Sequence, residues 1–304
     1  MENSRTDLYE YFGAERPENA QGYLQSLIHF QSEEYCARRK RPAMVVVAGG
    51  GYAYTSDREK EPIATFYFSK GYNVFTLDYS VSPVVYPAQL TEACMAVAYV
   101  RENADALGVS ADEIAVIGFS AGGHLAGMLA TVRCGEDPAS GADDGSAKIT
   151  EQQTSDPQVA EILKERYKIC RPDAVILSYP VVSYKHDYIS KSIERLCGGN
   201  QKLCESLSVE KRVTEYSAPA FIWCTADDGC VPAENSLVLA KTYAEKNVPY
   251  ELHVFAHGPH GLSVCNEETA PEGSKDYILP SVERWLELSF TWLKNRGFSI
   301  KTSE

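Results

Sequence analysis

The sequence predicts an α/β fold built on a doubly wound, mostly parallel sheet with helices on both faces. Three observations point there. Short apolar runs rich in β-branched residues alternate along the chain with helix-length amphipathic segments. Most of those runs are continuously apolar, the pattern left by a strand buried on both faces, whereas a half-exposed strand alternates. The chain has 304 residues, 44% of them hydrophobic and 23% charged, and a fold of that size removes roughly 75% of its unfolded surface from water. One large domain over residues 1–304 is therefore expected.

In chain order, the expected strands are Met44–Ala48, Val74–Leu77, Ile114–Phe119, Ala174–Tyr179, Phe221–Thr225 and Tyr250–Phe255. The expected helices are Ile63–Lys70, Leu90–Asn103, Gly122–Arg133, Ser236–Lys246 and Val282–Lys294. The last of these runs into Asn295-Arg296-Gly297, a basic final turn followed by a glycine stop. Residues 1–40 read as an N-terminal extension, with Tyr9, Tyr11, Phe12, Tyr23 and Phe30 available to pack across the body or the site mouth. Residues 135–168 read as a loop insertion, because Gly135–Asp156 is rich in Gly, Asp, Ser and Thr. Residues 181–218 are too long for a simple connection and carry a mixed helical pattern, as a small lid-like insertion or a helical cover of the sheet would.

Charge narrows the partners. Lys plus Arg number 29 against 42 Asp plus Glu, a formal net charge of −13. Such a surface repels phosphate backbones and anionic membranes, so neither nucleic acid nor membrane is expected as a partner. The one dense basic run, Arg38-Arg39-Lys40-Arg41, reads as a solvated edge. Nine cysteines without a C-x-x-C pair suggest reduced thiols. The polar start Met1–Asp7 lacks a signal-peptide core, and no stretch approaches the roughly 20 apolar residues of a membrane span, so a cytoplasmic location is the expectation.

The strongest chemical signal is Gly118-Phe119-Ser120-Ala121-Gly122, directly after a strand candidate and at the start of a helix candidate. In that context G-x-S-x-G is a nucleophile elbow, which lifts the serine hydroxyl above the sheet edge. A hydroxyl is a weak nucleophile near neutrality and needs a base, which itself needs an orienting group. Both types leave the C-terminal ends of later strands. Asp227-Asp228 follow Phe221–Thr225, and His257 and His260 follow Tyr250–Phe255. Open α/β sheets place their sites at those ends. His257 and His260 also form an H-x-x-H pair, but no third ligand is evident and the loop is rich in Gly and Pro, so no metal is expected. Gly49-Gly50-Gly51-Tyr52 follows the first strand candidate. It lacks the G-K-[ST] and G-x-G-x-x-G spacings of nucleotide loops and fits an oxyanion loop instead.

On these motifs the chain resembles α/β-hydrolase serine esterases of the esterase/lipase superfamily, close to bacterial acetyl (xylan) esterase-like and feruloyl-esterase-like members. The similarity runs from about Arg41 to Lys294 and includes Gly49–Tyr52, Ser56-Asp57-Arg58-Glu59, Leu77–Ser80, Gly118–His124, Arg171–Ala174, Thr225–Asp228 and Pro259–Gly261. The resemblance implies Ser120 as nucleophile, His260 as general base and Asp227 as orienting acid, with Asp228 serving the turn. It implies an oxyanion hole from the backbone N–H of Ala121 with that of Gly50 or Gly51. In one departure, the histidine that often opens the glycine run is Ala48 here. Ser56–Glu59 and Leu77–Tyr79 are expected to hold loops through caps and ion pairs, with Glu59 lining the pocket as the alternative.

The expected activity is hydrolysis of a carboxylic ester through an acyl-serine intermediate, without a cofactor. The resemblance makes the partner a small-molecule ester, with acetyl groups on an oligosaccharide as the example; oligomeric state is left open. A prolyl-oligopeptidase-type peptidase and a non-catalytic binding module on the same fold are the alternatives.

Overall fold

The computed structural model describes residues 2–32, 34, 39–132, 156–187 and 190–302. In chain order these form β1 (Glu2–Asp7), α1 (Leu8–Phe12), β2 (Tyr23–Ile28), β3 (Arg39–Val47), α2 (Glu61–Ser69), β4 (Asn73–Asp78) and α3 (Ala88–Glu102). Then come β5 (Val109–Phe119), α4 (Ser120–Ala130), α5 (Pro157–Leu163), β6 (Ala174–Ser178), α6 (Ser192–Leu196) and α7 (Gln201–Ser206). The chain ends with β7 (Ala220–Thr225), α8 (Glu234–Glu245), β8 (Tyr250–Phe255), α9 (Pro280–Glu283), α10 (Trp285–Asn295) and β9 (Lys301–Thr302).

The sheet order is β1-β2-β4-β3-β5-β6-β7-β8, with β9 pairing antiparallel to β3. From β4 to β8 every pair is parallel. Both faces are covered, which explains the continuous apolar runs. Val45, Val47, Val116, Leu177 and Ile222 point into one core, while Met44, Val46, Ile117, Ile176 and Trp223 point into the other. Strand order reverses at β3, whose neighbours β4 and β5 lie on opposite sides. Crevices for ligands open at such a switch point. The glycine run leaves β3 there and Ser120 leaves β5 beside it, since Val47 pairs with Gly118.

The fold class is as expected, with three corrections. Residues 2–28 are part of the sheet: β1 pairs with β2 and β2 with β4, both antiparallel. Tyr9 is buried there, and its hydroxyl donates to Glu92. Of the expected loop insertion, residues 135–155 lie outside the described residues, while Pro157–Leu163 is α-helical and Lys164–Ile169 a 3₁₀ turn. Arg41 is no solvated edge residue; it is buried and donates to the Gly71 carbonyl at 3.1 Å. The cysteines among the described residues are free thiols. Among those residues, no helix is long and apolar enough to cross a membrane.

Residues 181–218 contain α6 and α7, joined to the switch point from above. The Arg195 guanidinium donates to the Gly51 carbonyl, and Tyr86 N–H to the Leu196 carbonyl at 3.0 Å. Asn235 at the start of α8 anchors the entry, its Oδ1 accepting from the N–H groups of Val182 and Ser183 at 2.9 and 3.1 Å.

Candidate active site

Ser120 has φ +53°, a left-handed conformation that non-glycine residues rarely adopt and that is held only where the surroundings enforce it. The flanking glycines are the enforcement. A Cβ on Gly118 would sit 2.2 Å from the Gly122 carbonyl oxygen, and one on Gly122 would sit 2.3 Å from that of Val47. Strand and helix thus meet where no larger side chain fits, and α4 begins at Ser120 itself. The first N–H groups of a helix have no intrahelical partner, so those after Ser120 face the crevice side of the turn available for a developing negative oxygen.

The glycine run lies against this elbow: a Cβ on Gly49 would be 2.9 Å from Ser120 Cβ. Gly50 and Gly51 have φ +127° and +63°. A Cβ on Gly50 would stand 2.1 Å from the Tyr54 carbonyl oxygen, so this position demands glycine on both counts. In place of the missing histidine, tyrosines support the loop. The Tyr79 hydroxyl donates to the Ala48 carbonyl at 2.7 Å. The Tyr52 hydroxyl donates to His124 Nδ1 at 2.8 Å, and His124 Nε2–H donates to the Leu207 carbonyl at 2.8 Å. Burial pulls His124 down to about 4, so the ring is neutral, as this bonding requires.

β7 and β8 deliver the acid and base candidates. His260 Nε2 stands 2.7 Å from Ser120 Oγ, and His260 Nδ1 stands 2.7 Å from Asp228 Oδ2. With the Nδ1 proton given to the carboxylate, Nε2 is left to accept from the serine hydroxyl. Asp227, expected against His260, lies elsewhere. Its Oδ2 is 3.0 Å from His257 Nδ1, and its Oδ1 accepts from the Gly258 N–H at 2.8 Å. The neighbouring His257 imidazole, then the Gly258 N–H, hold the Asp227 carboxyl below the usual carboxylate range.

The reason for the exchange is the path of the chain. The ladder continues one residue past β7, with Ala226 N–H donating to the Phe255 carbonyl at 2.8 Å, so Asp227 leaves the sheet exposed. The turn then brings Asp228 back inside. Its Oδ1 accepts from the N–H groups of Cys230 and Val231 at 2.8 and 2.9 Å, leaving Oδ2 for the imidazole. The turn role expected of Asp228 is present, and the same carboxylate also reaches His260. The signal for this was in Asp228-Gly229-Cys230-Val231-Pro232, since an aspartate that bonds N–H groups two and three residues on is rigidly aimed. Because the two histidines face different aspartates, they do not converge on one point. Among the described residues, no three His, Cys, Asp or Glu side chains group as metal ligands.

Two further side chains belong to the site's frame. Tyr179, directly after β6, has φ +38° and packs its ring edge-on to His260 with centroids 5.1 Å apart. Its hydroxyl donates to Glu59 Oε1 at 2.7 Å. Glu59 is buried, and its Oε2 accepts from the Gly49 N–H at 2.7 Å. Lys60, directly after Ser56–Glu59, pairs with Asp78 of the other loop motif at 3.0 Å, an ion pair of the loop-holding kind expected there. Beside His260 a cleft of about 580 Å³ opens, walled in part by Pro259, Tyr277 and Leu279.

Comparison with known proteins gives the family and the fold. The BD-FAE family model matches residues 33–243. Endo-1,4-beta-xylanase B of Butyrivibrio fibrisolvens is 33% identical over 235 residues, 75% of this chain and 34% of that protein. Lipase 2 of a Moraxella species is 29% identical over 57% of this chain and 40% of its own length. The chain thus spans well under half the length of these curated relatives. Among solved structures, the acetyl ester-xyloside bifunctional hydrolase of Caldicellulosiruptor lactoaceticus is 31% identical with a TM-score of 0.72, covering 91% of this chain and 89% of that one. The carboxylesterase Cest-2923 of Lactobacillus plantarum is 26% identical with a TM-score of 0.79, covering 98% and 99%. With the switch-point crevice, the elbow and the glycine loop all in place, the chain belongs to the BD-FAE family and has the α/β-hydrolase fold.

Proposed function

We propose that this protein hydrolyses carboxylic esters with Ser120 as nucleophile, His260 as general base and Asp228 as the orienting carboxylate. One observation carries the reading: an unbroken chain of 2.7 Å contacts from Ser120 through His260 to Asp228, at a strained strand-to-helix turn. As Ser120 Oγ bonds to the ester carbonyl carbon, its proton passes to His260 Nε2 and the carbonyl π-electrons move to oxygen. Backbone N–H of Ala121 and of Gly50 or Gly51 receive that oxygen. Collapse expels the alcohol, which leaves with the His260 proton. Water then repeats the sequence on the acyl-serine and releases the acid. Asp228 holds the imidazole in the required tautomer and stabilises the imidazolium.

The substrate proposed is a small acyl ester, acetyl in the first instance, on a carbohydrate alcohol. Support comes from similarity to an acetyl ester-xyloside hydrolase and to a xylanase. The leaving oxygen must lie within reach of His260, and the neighbouring cleft offers room for the rest of the alcohol. Incubation with acetylated xylo- and manno-oligosaccharides, following released acetate, tests this. Wild-type release that disappears in Ser120→Ala supports it. No hydrolysis of these or of p-nitrophenyl acetate refutes it.

A further inference from the structure

Glu59 is a buried carboxyl with no step in the mechanism above, and both of its oxygens accept hydrogen bonds. The Ser263 N–H donates to the Tyr179 hydroxyl oxygen at 3.0 Å, so the Tyr179 proton is free to go only outward, to Glu59 Oε1. The Gly49 N–H occupies Oε2. Both carboxylate oxygens therefore accept, which favours the ionised form over the protonated one. The three donors belong to three separate loops: Gly49 to the glycine run, Tyr179 to the end of β6, and Ser263 to the loop carrying His260. Ser263 Oγ further donates to the Arg58 carbonyl, closing the ring of contacts.

We infer that Glu59 is a positioning residue, an ionised carboxylate that locks the glycine loop and the His260 loop to each other and whose buried charge favours the imidazolium formed when Ser120 attacks. The inference rests on the proposed serine esterase chemistry. Removing an ion from water is costly unless partners compensate, so a merely structural tie is met more cheaply by an amide. Burial pushes the Glu59 carboxyl up, while Tyr179, Gly49, His260 and Arg58 pull it back. The groups facing His260 are Asp228 from the β7 turn, Ser120 from α4, Tyr179 from β6, and Glu59 and Arg58 from the 3₁₀ turn Asp57–Glu59. Arg58 lies beside the His260 loop, its Nη2 3.2 Å from where a Cβ on Gly261 would be and its guanidinium 5.4 Å from the Tyr277 ring centre. Deleting the Glu59 charge removes its attraction for the imidazolium while the Arg58 charge stays, so the change disfavours imidazolium.

Glu59→Gln keeps the shape of the side chain and an acceptor for the Gly49 N–H, but removes the charge and the acceptor for the Tyr179 hydroxyl. The His260 ring is followed by long-range proton–nitrogen NMR across pH, assigned with His260→Ala, alongside kcat and KM on p-nitrophenyl acetate. The expected result is a His260 midpoint lowered by about half a pH unit or more, a kcat reduced about tenfold, and a smaller change in KM. Glu59→Asp, which keeps the charge, returns the midpoint toward wild type. An unmoved midpoint in a folded Glu59→Gln protein overturns the inference. Should that variant not fold, Tyr179→Phe tests the tie, because it deletes the hydroxyl relay alone: a lowered kcat sustains the inference and a wild-type kcat overturns it. Wild-type protein without esterase activity would defeat the proposed function instead, and the imidazole titration would still be readable.

Discussion

Two aspartate–histidine pairs stand side by side at the end of this sheet, built from the same two loops. Asp228 and His260 are 2.7 Å apart with side chains 1% and 20% exposed; Asp227 and His257 are 3.0 Å apart with side chains 53% and 84% exposed. By contact alone they are nearly equivalent. What separates them is solvent and a third group. The inner pair is shielded, its carboxylate is braced by two backbone N–H groups, and its outer ring nitrogen meets a hydroxyl. The outer pair is an exposed contact of the kind worth little in water. A catalytic pairing is thus recognised by what lies behind and ahead of it.

The comparison is sharpened most by removing the hydroxyl. Ser120→Ala is expected to cost about 10⁴-fold or more in kcat on p-nitrophenyl acetate, with an unchanged melting temperature, and to abolish labelling by a fluorophosphonate. Next comes the carboxylate. Asp228→Asn should lose about 10⁴-fold in kcat, the size of loss seen when a triad aspartate is replaced in the template serine protease. Asp227→Asn should lose less than about tenfold, since the pair it breaks is exposed. Equal losses in the two asparagine variants would break the distinction drawn here. The histidines repeat the experiment at smaller cost in folding: His260→Ala should be inactive and His257→Ala should retain most of kcat/KM.

A third histidine extends the contrast from exposed to fully enclosed. His124 stays neutral in the fold down to about pH 4, whereas in the unfolded chain it gains a proton below its ordinary value of 6.5. The unfolded state binds more protons in that window, so stability conferred by neutral His124 is complete above it and is lost as pH falls from about 6.5 to 4. The full loss is about 3 kcal/mol. Glu92, pushed up to about 7 mainly by burial, gives the opposite slope between 4.5 and 7. Urea unfolding of wild type and His124→Asn across pH isolates the histidine contribution, since Glu92 is common to both; the variant should lose less stability than wild type as pH falls from about 6.5 to 4.

The parts of the fold legible in the sequence were those whose burial leaves a one-dimensional trace. The central strands β3 to β7 carry runs that are apolar on both faces, and the elbow announces itself because only glycine tolerates the contacts at 118 and 122. β1 left no such trace. Its sequence Glu-Asn-Ser-Arg-Thr-Asp is polar and its side chains are largely exposed, so only pairing with β2 makes it a strand. The choice between Asp227 and Asp228 was illegible for a different reason. It depends on where the ladder ends, and that is decided by Phe255 on another strand. Glu59 was visible as a motif residue, but its three-loop role requires Tyr179 and Ser263, which are 120 and 204 positions away.

The antiparallel hairpin of residues 2–28 also does something for the molecule that its distance from Ser120 conceals. β4 would otherwise be the outermost parallel strand, apolar along Val74, Phe75 and Leu77. An open edge of that composition is a template for pairing with another chain. β2 covers it, and β1 then presents Glu2, Arg5 and their polar neighbours as the new border. A shortened chain beginning at β3 would keep every residue of the candidate site and still carry an aggregation-prone margin, with the Glu92 carboxyl stripped of its Tyr9 partner.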